Sequence, residues 1–166
     1  MSPKLQSSLQ EGHHHTLHQL IGKWQGETKT WFEDAEPVDV SSMTGTIRPL
    51  FDGRFVMHEY KSSFQGKPLE GIAIYGYHLK TQRLQCVWMD TFHMGTGILF
   101  SHGEAEKAFY NVKGSYEAGE ANEQLWGWRT EIRLVSNNEI VITAYNIEPG
   151  GEETKATETI YKRIVE

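Results

Sequence analysis

Two groups of side chains in this sequence could do chemistry. Four of the eight histidines fall at positions 13, 14, 15 and 18, and His14 and His18 have the i, i+4 spacing that lets two imidazoles share a metal ion. Farther along, Asp90 stands between Trp88 and Phe92 in an apolar stretch. A carboxylate buried there must be hydrogen-bonded, paired or protonated. A metal site and a buried acid or base are therefore the chemistries to weigh against the fold.

The histidine cluster predicts a capping helix rather than a metal centre. A helix over residues 13–21 gathers its apolar side chains on one face, namely Leu17, Leu20 and Ile21. No third ligand lies near His14 and His18 in the sequence, and a protein metal site needs one. We expect the apolar face to plug one end of a barrel while the histidines face solvent. Adventitious metal binding at His14 and His18, or a partial affinity tag, are the alternatives.

The composition restricts the classes of partner. The 166-residue chain has a formal net charge of −6, which argues against nucleic acid or an anionic membrane as a partner. Cys86 is the only cysteine, so no intrachain disulfide can form, and a reducing compartment is expected. No apolar run approaches the roughly 20 residues of a membrane span, and residues 1–12 lack a hydrophobic signal segment. We expect a cytoplasmic protein with a disordered tail at 1–12 and one domain at 13–166.

From Gly22 onward the sequence alternates apolar with polar residues, which is the period of a strand with one wet face. Turn signals such as Asp52-Gly53 and Asn137-Asn138 separate the alternating segments. The predicted strands are 22–32, 42–51, 54–64, 69–79, 83–92, 97–102, 107–116, 124–136, 139–148 and 154–164. This pattern predicts an all-β, antiparallel barrel of about ten strands with a short N-terminal capping helix.

Hairpin geometry predicts which side chains face the interior. A two-residue turn at Asp52-Gly53 pairs Ile47 with His58, and four-residue loops at 65–68 and 80–83 carry the pairing onward. The resulting pairs are His58 with Tyr75, Tyr60 with Ala73, Tyr75 with Trp88, and Ala73 with Asp90. The predicted inner face holds Met43, Ile47, Phe51, Val56, His58, Tyr60, Tyr75, Tyr77, Leu84, Cys86, Trp88, Asp90 and Phe92. The strand at 124–136 adds Trp126, Trp128, Thr130, Ile132 and Leu134.

This aromatic interior with few polar groups favours a non-catalytic barrel that binds a small hydrophobic or aromatic molecule. The predicted ligand-binding residues are His58, Tyr60, Tyr75, Tyr77, Trp88, Asp90 and Trp128. The same polar side chains could instead satisfy one another and bind nothing. Cys86 is predicted to face inward and to be inert, because no basic neighbour in the sequence would lower the pKa of its thiol.

Two further functions stay open. An enzyme could use Asp90 as general acid or base with His58 or a tyrosine assisting, if burial raised the carboxyl pKa toward working pH. No motif in the sequence names a reaction. A filled barrel could serve as a partner module or homodimer, for which Trp31 on the wet side of the first strand is the motive. The segment from His93 to His102 predicts an ordinary glycine-containing hairpin, with a mobile lip over a cavity as the alternative.

The chain resembles the DUF1579 family of uncharacterised bacterial proteins from His18 to Arg163. The resemblance rests on "LIGKWQGETKTWF", "LFDGRFVMHEY", "GKPLEGIAIYGYHLKTQRLQCVWMDTF" and "ETIYKRI", and on Trp88 and Asp90, which match the family's W-x-D pattern. The family's Gly-Tyr-Asp is Gly76-Tyr77-His78 here. The resemblance implies a calycin-like barrel, related in shape to lipocalins, fatty-acid-binding proteins and nitrobindin, and it implies no established activity.

Two further expectations come from the calycin resemblance. Gly22-Lys23-Trp24 is similar to the calycin G-x-W signature, whose tryptophan packs against a basic residue of the last strand, and Arg163 matches that position. Such a cation–π contact would contribute about 0.5–2 kcal/mol to closing the barrel. "GKWQGETKTWF" is also similar to the first strand of nitrobindin, which holds haem through a histidine late in its chain. No histidine follows His102, so neither haem nor another cofactor is expected.

Overall fold

The computed structural model describes residues 1–33, 35–105, 109–118 and 124–165. Ten antiparallel strands in these ranges form one closed barrel, in which strands adjacent in sequence pair and β1 pairs with β10. Two helices precede it, Pro3–Glu11 (α1) and His13–His18 (α2). The strands are Gly22–Thr30 (β1), Asp39–Leu50 (β2), Phe55–Phe64 (β3), Lys67–His78 (β4), Arg83–Asp90 (β5), Leu99–Glu104 (β6), Tyr110–Ala118 (β7), Gln124–Ser136 (β8), Glu139–Ile147 (β9) and Glu153–Arg163 (β10).

This architecture confirms the predicted ten-stranded antiparallel barrel. The first residues of the predicted strand 107–116, at positions 107 and 108, lie outside the described residues. None of the ten described strands has a free edge, because each has a hydrogen-bonded neighbour on both sides. Neither α1 nor α2 is long and apolar enough to cross a membrane.

The strand register is correct at the first predicted hairpin and displaced at the next two. Ile47 pairs with His58 as predicted. His58, however, pairs with Ala73 rather than Tyr75, because β3 and β4 are joined by a two-residue turn at Gln65-Gly66 with φ angles of 48° and 78°. Between β4 and β5, Tyr75 likewise pairs with Cys86 and not with Trp88. Each displacement is two residues, so the predicted inward side chains keep their face.

The N-terminal segment differs from the disordered tail expected for residues 1–12. It forms α1, whose first turn contains Pro3 and is capped by Ser2, since the Leu5 amide donates to the Ser2 hydroxyl over 3.3 Å. Leu5 and Ser8 are buried. The polar composition of residues 1–12 did not predict that Leu5 and Ser8 would be buried and would anchor this segment to the fold.

α2 closes one end of the barrel with the apolar face that the sequence predicted. Leu17 and Leu20 are buried in the main core. The expected solvent-facing histidines are corrected in two cases. His14 is buried, and its Nδ1 lies 2.8 Å from the Ser8 hydroxyl, while Nε2 of His18 lies 3.0 Å from the Gly53 carbonyl oxygen. Both rings therefore fasten the helices to the protein, and no metal-ligand cluster occurs among the described residues.

Trp24 and Arg163 lock this closed end, as the calycin resemblance implied. The Arg163 guanidinium lies over the Trp24 ring with its carbon 4.2 Å from the ring centroid. The same guanidinium donates to backbone carbonyls on both sides, over 2.8 Å to Gln19 and 2.7 Å to Asn137, and to Ile21. The Trp24 indole N–H donates to the Leu20 carbonyl over 2.8 Å. One arginine thus joins the last strand, the first strand and the segment after α2.

Candidate binding site at the open end of the barrel

The end of the barrel opposite the helices contains a cavity of about 90 Å³. Its wall combines threonines of β1 and β10 with aromatic side chains of β3, β4, β5 and β8. Six of the seven predicted ligand-binding residues line it, namely His58, Tyr60, Tyr75, Trp88, Asp90 and Trp128. The predicted inner face therefore converges on a single space inside the barrel.

Of the side chains expected on the inner face, Phe51 and Phe92 lie elsewhere, whereas Tyr77 packs against the core on that face but outside the cavity. Tyr77 faces the helices, with its ring centroid 4.3 Å from that of His13, and does not line the cavity. Phe51 is 71% exposed because its positive φ of 49° places it in the turn after β2 rather than in the strand. Phe92 is exposed because it follows the end of β5. Period-two alternation stops at a strand end, so it misplaced the two phenylalanines at such ends.

His58 and two tyrosines form the floor of the cavity. The imidazole of His58 is buried. Its Nε2 lies 3.1 Å from the Tyr161 hydroxyl, and its Nδ1 lies 3.5 Å from the Tyr75 hydroxyl. Burial lowers the pKa of His58 to about 3, so the ring is neutral. Gly45 leaves the room for this pair, because a Cβ there would lie 2.5 Å from the Tyr161 hydroxyl oxygen and 2.7 Å from His58 Nε2. The floor is thus a neutral, internally hydrogen-bonded layer.

Two stacked tryptophans form one side of the cavity. The rings of Trp88 and Trp128 have centroids 5.0 Å apart and planes inclined by 16°. The Trp88 indole N–H donates to the Tyr60 hydroxyl over 2.8 Å. Burial, and to a lesser degree the charge of Asp90, raises the pKa of Tyr60. Gly71 is required beneath this contact, since a Cβ there would lie 2.2 Å from the Tyr60 hydroxyl oxygen. The wall is therefore closely packed and largely apolar.

Asp90 and His93 meet at the mouth of the cavity. Oδ2 of Asp90 lies 2.5 Å from Nδ1 of His93, and Oδ1 accepts the backbone N–H groups of Phe92, His93 and Met94 over 3.2, 2.6 and 3.0 Å. The Asp90 side chain is 1% exposed and that of His93 22%. Burial acts to raise the pKa of Asp90, but the hydrogen bond and charge of His93 and the backbone N–H groups outweigh it, and the pKa is lowered.

This geometry corrects the expectation that burial would raise the Asp90 pKa toward working pH and that His58 would assist it. The partner is His93, three residues along the chain, and both carboxylate oxygens are already engaged. The sequence showed His93 only as part of a glycine-containing hairpin. A signal was present in the spacing, because an aspartate that ends a strand often accepts the next few backbone N–H groups.

The loop between β5 and β6 contains that hairpin turn, with the Gly97 amide donating to the Met94 carbonyl over 2.8 Å. His102 does not approach His93, since it is exposed and lies beside Phe100 on the outside of β6. Cys86 is buried, and burial raises the pKa of its thiol to about 12, which keeps the thiol protonated.

The hydrogen-bonding state of the interior restricts what the cavity could hold. Throughout the described part of the chain, every buried side-chain nitrogen or oxygen has a hydrogen-bond partner. Thr159 and Thr28, for example, share a hydrogen bond of 3.0 Å across the wall. A molecule deep in the cavity therefore meets mainly apolar and aromatic surfaces, because the fully buried polar atoms are already paired.

A larger hollow of about 840 Å³ lies on the outer side of the barrel wall. It is bordered by side chains that alternate outward from the strands, including Glu59, Lys61 and Glu70. These groups are exposed. Size alone does not make this hollow a binding site, because its charged side chains are solvated and it lacks the aromatic enclosure of the interior.

Residues 10–163 match the family DUF1579, which is described as a protein of unknown function. Rv2717c from M. tuberculosis has a similar structure, with a TM-score of 0.58, 12% identity and 99% of each chain covered. The S-type phycobiliprotein lyase CPES from Guillardia theta is also similar in structure, with a TM-score of 0.57, 8% identity and 92% of each chain covered. At these identities the likeness shows the fold alone.

A protein of unknown function from the DUF3598 family of Nostoc punctiforme gives a TM-score of 0.40 at 14% identity, covering 89% of this chain and 48% of that one. This chain therefore spans about half the length of that protein. No protein with a curated function matches the sequence.

Proposed function

The chain belongs to the DUF1579 family, and we propose that it is a non-catalytic barrel that binds a small hydrophobic or aromatic molecule at its open end. The observation that carries this proposal is the interior cavity beside the stacked Trp88 and Trp128 rings. Tryptophan faces bind planar apolar molecules through dispersion and offset stacking. The pairing of the fully buried polar atoms and the aromatic wall favour a ligand that is largely apolar.

The size of the cavity limits the ligand to about one ring. A volume of about 90 Å³ is below the roughly 150 Å³ of an apolar protein cavity that binds benzene. A single ring therefore enters with a small outward shift of the mouth, where His93 is partly exposed. Larger molecules would place only one end inside. The ligand class proposed is consequently a monocyclic aromatic or a compound of similar cross-section.

Three phenylalanines lie together beside this mouth. The Phe64 ring lies between Phe32 and Phe92, with centroid distances of 5.8 and 4.5 Å. Phe32 and Phe92 are exposed. Neighbouring exposed apolar side chains at the opening of a cavity give an apolar molecule a first contact site on its way inward.

The two alternative functions have weaker support. A neutral His58 and an Asp90 with both oxygens engaged weigh against the acid–base pair considered from the sequence. Trp31, the motive for a homodimer, is half-buried with the Lys155 ammonium 5.2 Å from its ring centroid. As part of the proposal we place the protein in the cytoplasm, because its single cysteine is buried and can form no intrachain disulfide.

The test is a thermal-shift titration with benzene, toluene, phenol and indole. At tenfold excess over Kd, a bound probe adds about 1.4 kcal/mol to the free energy of unfolding and raises Tm. Ala144→Leu, which fills the cavity from β9, is expected to abolish that shift, whereas the exposed control Val135→Leu retains it. Thr130→Leu is the second filling variant if Ala144→Leu folds poorly, with circular dichroism reporting the fold. Binding by none of the probes, or binding unchanged in both filling variants, contradicts the proposal.

A further inference from the structure

We infer that the ligand carries an O–H or N–H donor on its ring and that Nε2 of His93 accepts it. This inference rests on the proposed binding function and names the polar feature that the ligand requires. It arises from the Asp90–His93 contact at the cavity mouth, which the binding proposal itself does not use.

The contact fixes which nitrogen of His93 carries hydrogen. An ionised carboxylate offers only acceptors, so the Nδ1 that lies 2.5 Å from Asp90 Oδ2 must carry the hydrogen. At a pH at which the imidazole is neutral, the other nitrogen, Nε2, then holds a lone pair and accepts hydrogen bonds. The three backbone N–H groups on Oδ1 hold the carboxylate in place, so this tautomer is set by the loop itself.

The ring that carries this lone pair lines the cavity. His93 lines the cavity, and its ring centroid lies 5.3 Å from Trp88 and 5.5 Å from Trp128. Because Nδ1 is turned toward the buried Asp90, the opposite edge of the ring with Nε2 faces away from the loop backbone. Within the described ranges no protein group hydrogen-bonds to Nε2, and the side chain is 22% exposed.

His93 therefore supplies the discriminating polar contact of the site. The fully buried polar atoms around the cavity are already paired, for example the Trp88 indole N–H with the Tyr60 hydroxyl. An aromatic ligand without a donor would displace water from Nε2 and leave this acceptor without a hydrogen bond. A ligand with a donor replaces the hydrogen bond from water with its own. One hydrogen bond of ordinary strength corresponds to about 3- to 10-fold in Kd.

The experiment compares three probes of similar size, namely toluene, phenol and anisole, by titration of tryptophan fluorescence. Phenol can donate, anisole can only accept, and toluene can do neither. We expect phenol to bind about 3- to 10-fold more tightly than the other two. His93→Phe keeps a ring against Trp88 and Trp128 and removes the acceptor, so it should retain toluene binding and lose the preference for phenol. His102→Phe on the outer face is the matched control and should change none of the three.

Asp90→Asn tests the positioning role separately. The backbone N–H groups on Oδ1 hold the amide oxygen there, so the amide nitrogen faces Nδ1 and donates to it. The hydrogen of His93 then moves to Nε2, which becomes a donor. We expect anisole to bind this variant as tightly as phenol. Long-range ¹H–¹⁵N spectra of the ligand-free proteins should show hydrogen on Nδ1 in the wild type and on Nε2 in Asp90→Asn.

The outcomes separate this inference from the function beneath it. Equal affinity for the three probes, a phenol preference that survives His93→Phe, or hydrogen on Nε2 in the wild type would each overturn the role of His93 and leave the binding function standing. Binding of none of the probes overturns the binding function and this inference together.

Discussion

The two ends of the barrel are held by different kinds of contact. At the closed end, Arg163 reaches backbone carbonyls near α2 and in the β8–β9 turn, so residues far apart in sequence are joined. At the open end, Asp90 Oδ1 accepts the backbone N–H groups of Phe92, His93 and Met94, which all lie in one loop. Trp24 is fully buried, whereas Trp88 is partly exposed. Long-range clasps stabilise the global fold, while local contacts allow one end to adjust without unfolding the rest.

The largest expected effect is the cost of removing a tryptophan from each end. Trp24→Ala should lower the free energy of unfolding by about 3–5 kcal/mol, because it leaves a large void in the packed end. Trp88→Ala should cost about 1–3 kcal/mol, since its ring already borders a cavity. Urea unfolding of the two variants measures the difference. Equal losses would remove the distinction drawn between the ends.

The next effect concerns the floor that separates the two ends. Burial lowers the pKa of His58 from 6.5 to about 3, so the folded chain binds fewer protons than the unfolded chain between these values. The contribution of His58 to stability is therefore constant above pH 6.5, and it lowers the free energy of unfolding by about 1.4 kcal/mol per pH unit as pH decreases toward 3. Burial also lowers the pKa of His14, which acts in the same direction.

His58→Gln isolates this contribution. Urea unfolding at pH 7, 6, 5 and 4 should give a slope smaller than that of the wild type by about 1.4 kcal/mol per pH unit below pH 6. His14 is present in both proteins and cancels from the comparison. If the two slopes agree, His58 is charged in the folded protein and the neutral floor does not exist.

The smallest effect tests the geometry of the Arg163 clasp. Arg163→Lys keeps a positive charge near Trp24 but loses the planar group that reaches three carbonyls, so we expect a loss of about 1–2 kcal/mol. Arg48→Lys, whose partner Glu59 is equally exposed, is the control and should change stability by less than about 0.5 kcal/mol. Similar values for both arginines would mean that charge alone, and not the forked contact, holds the closed end.

The strands and their inward face could be predicted because burial of one face imposes a period of two over long stretches. Thr28 and Met43 obey that period, and so do the residues of β8 from Trp128 to Ile132. The Trp24–Arg163 contact could be predicted only through the calycin resemblance. Register beyond the first hairpin could not, because Gln65 adopts a positive φ that nothing in its residue type announces.

The candidate site was predictable in its wall and not in its mouth. Trp88, Tyr60 and Asp90 sit on strands, where alternation fixes direction. His93 sits in a loop, whose conformation depends on hydrogen bonds to a carboxylate that the pattern of hydrophobicity does not encode. His14 was misassigned for a related reason, since its partner Ser8 belongs to a helix that composition did not reveal.

Pairing of β1 with β10 ties the order of folding to the order of synthesis. Residues 22–30 emerge from the ribosome long before residues 153–163, yet their hydrogen-bonded neighbours include Thr157 to Arg163. Until the last strand is made, β1 and β9 each present an unpaired edge, which is a template for aggregation. The nascent protein must therefore keep those edges from pairing with other chains during translation. The barrel closes late, when β10 pairs with β1 over a long sequence separation.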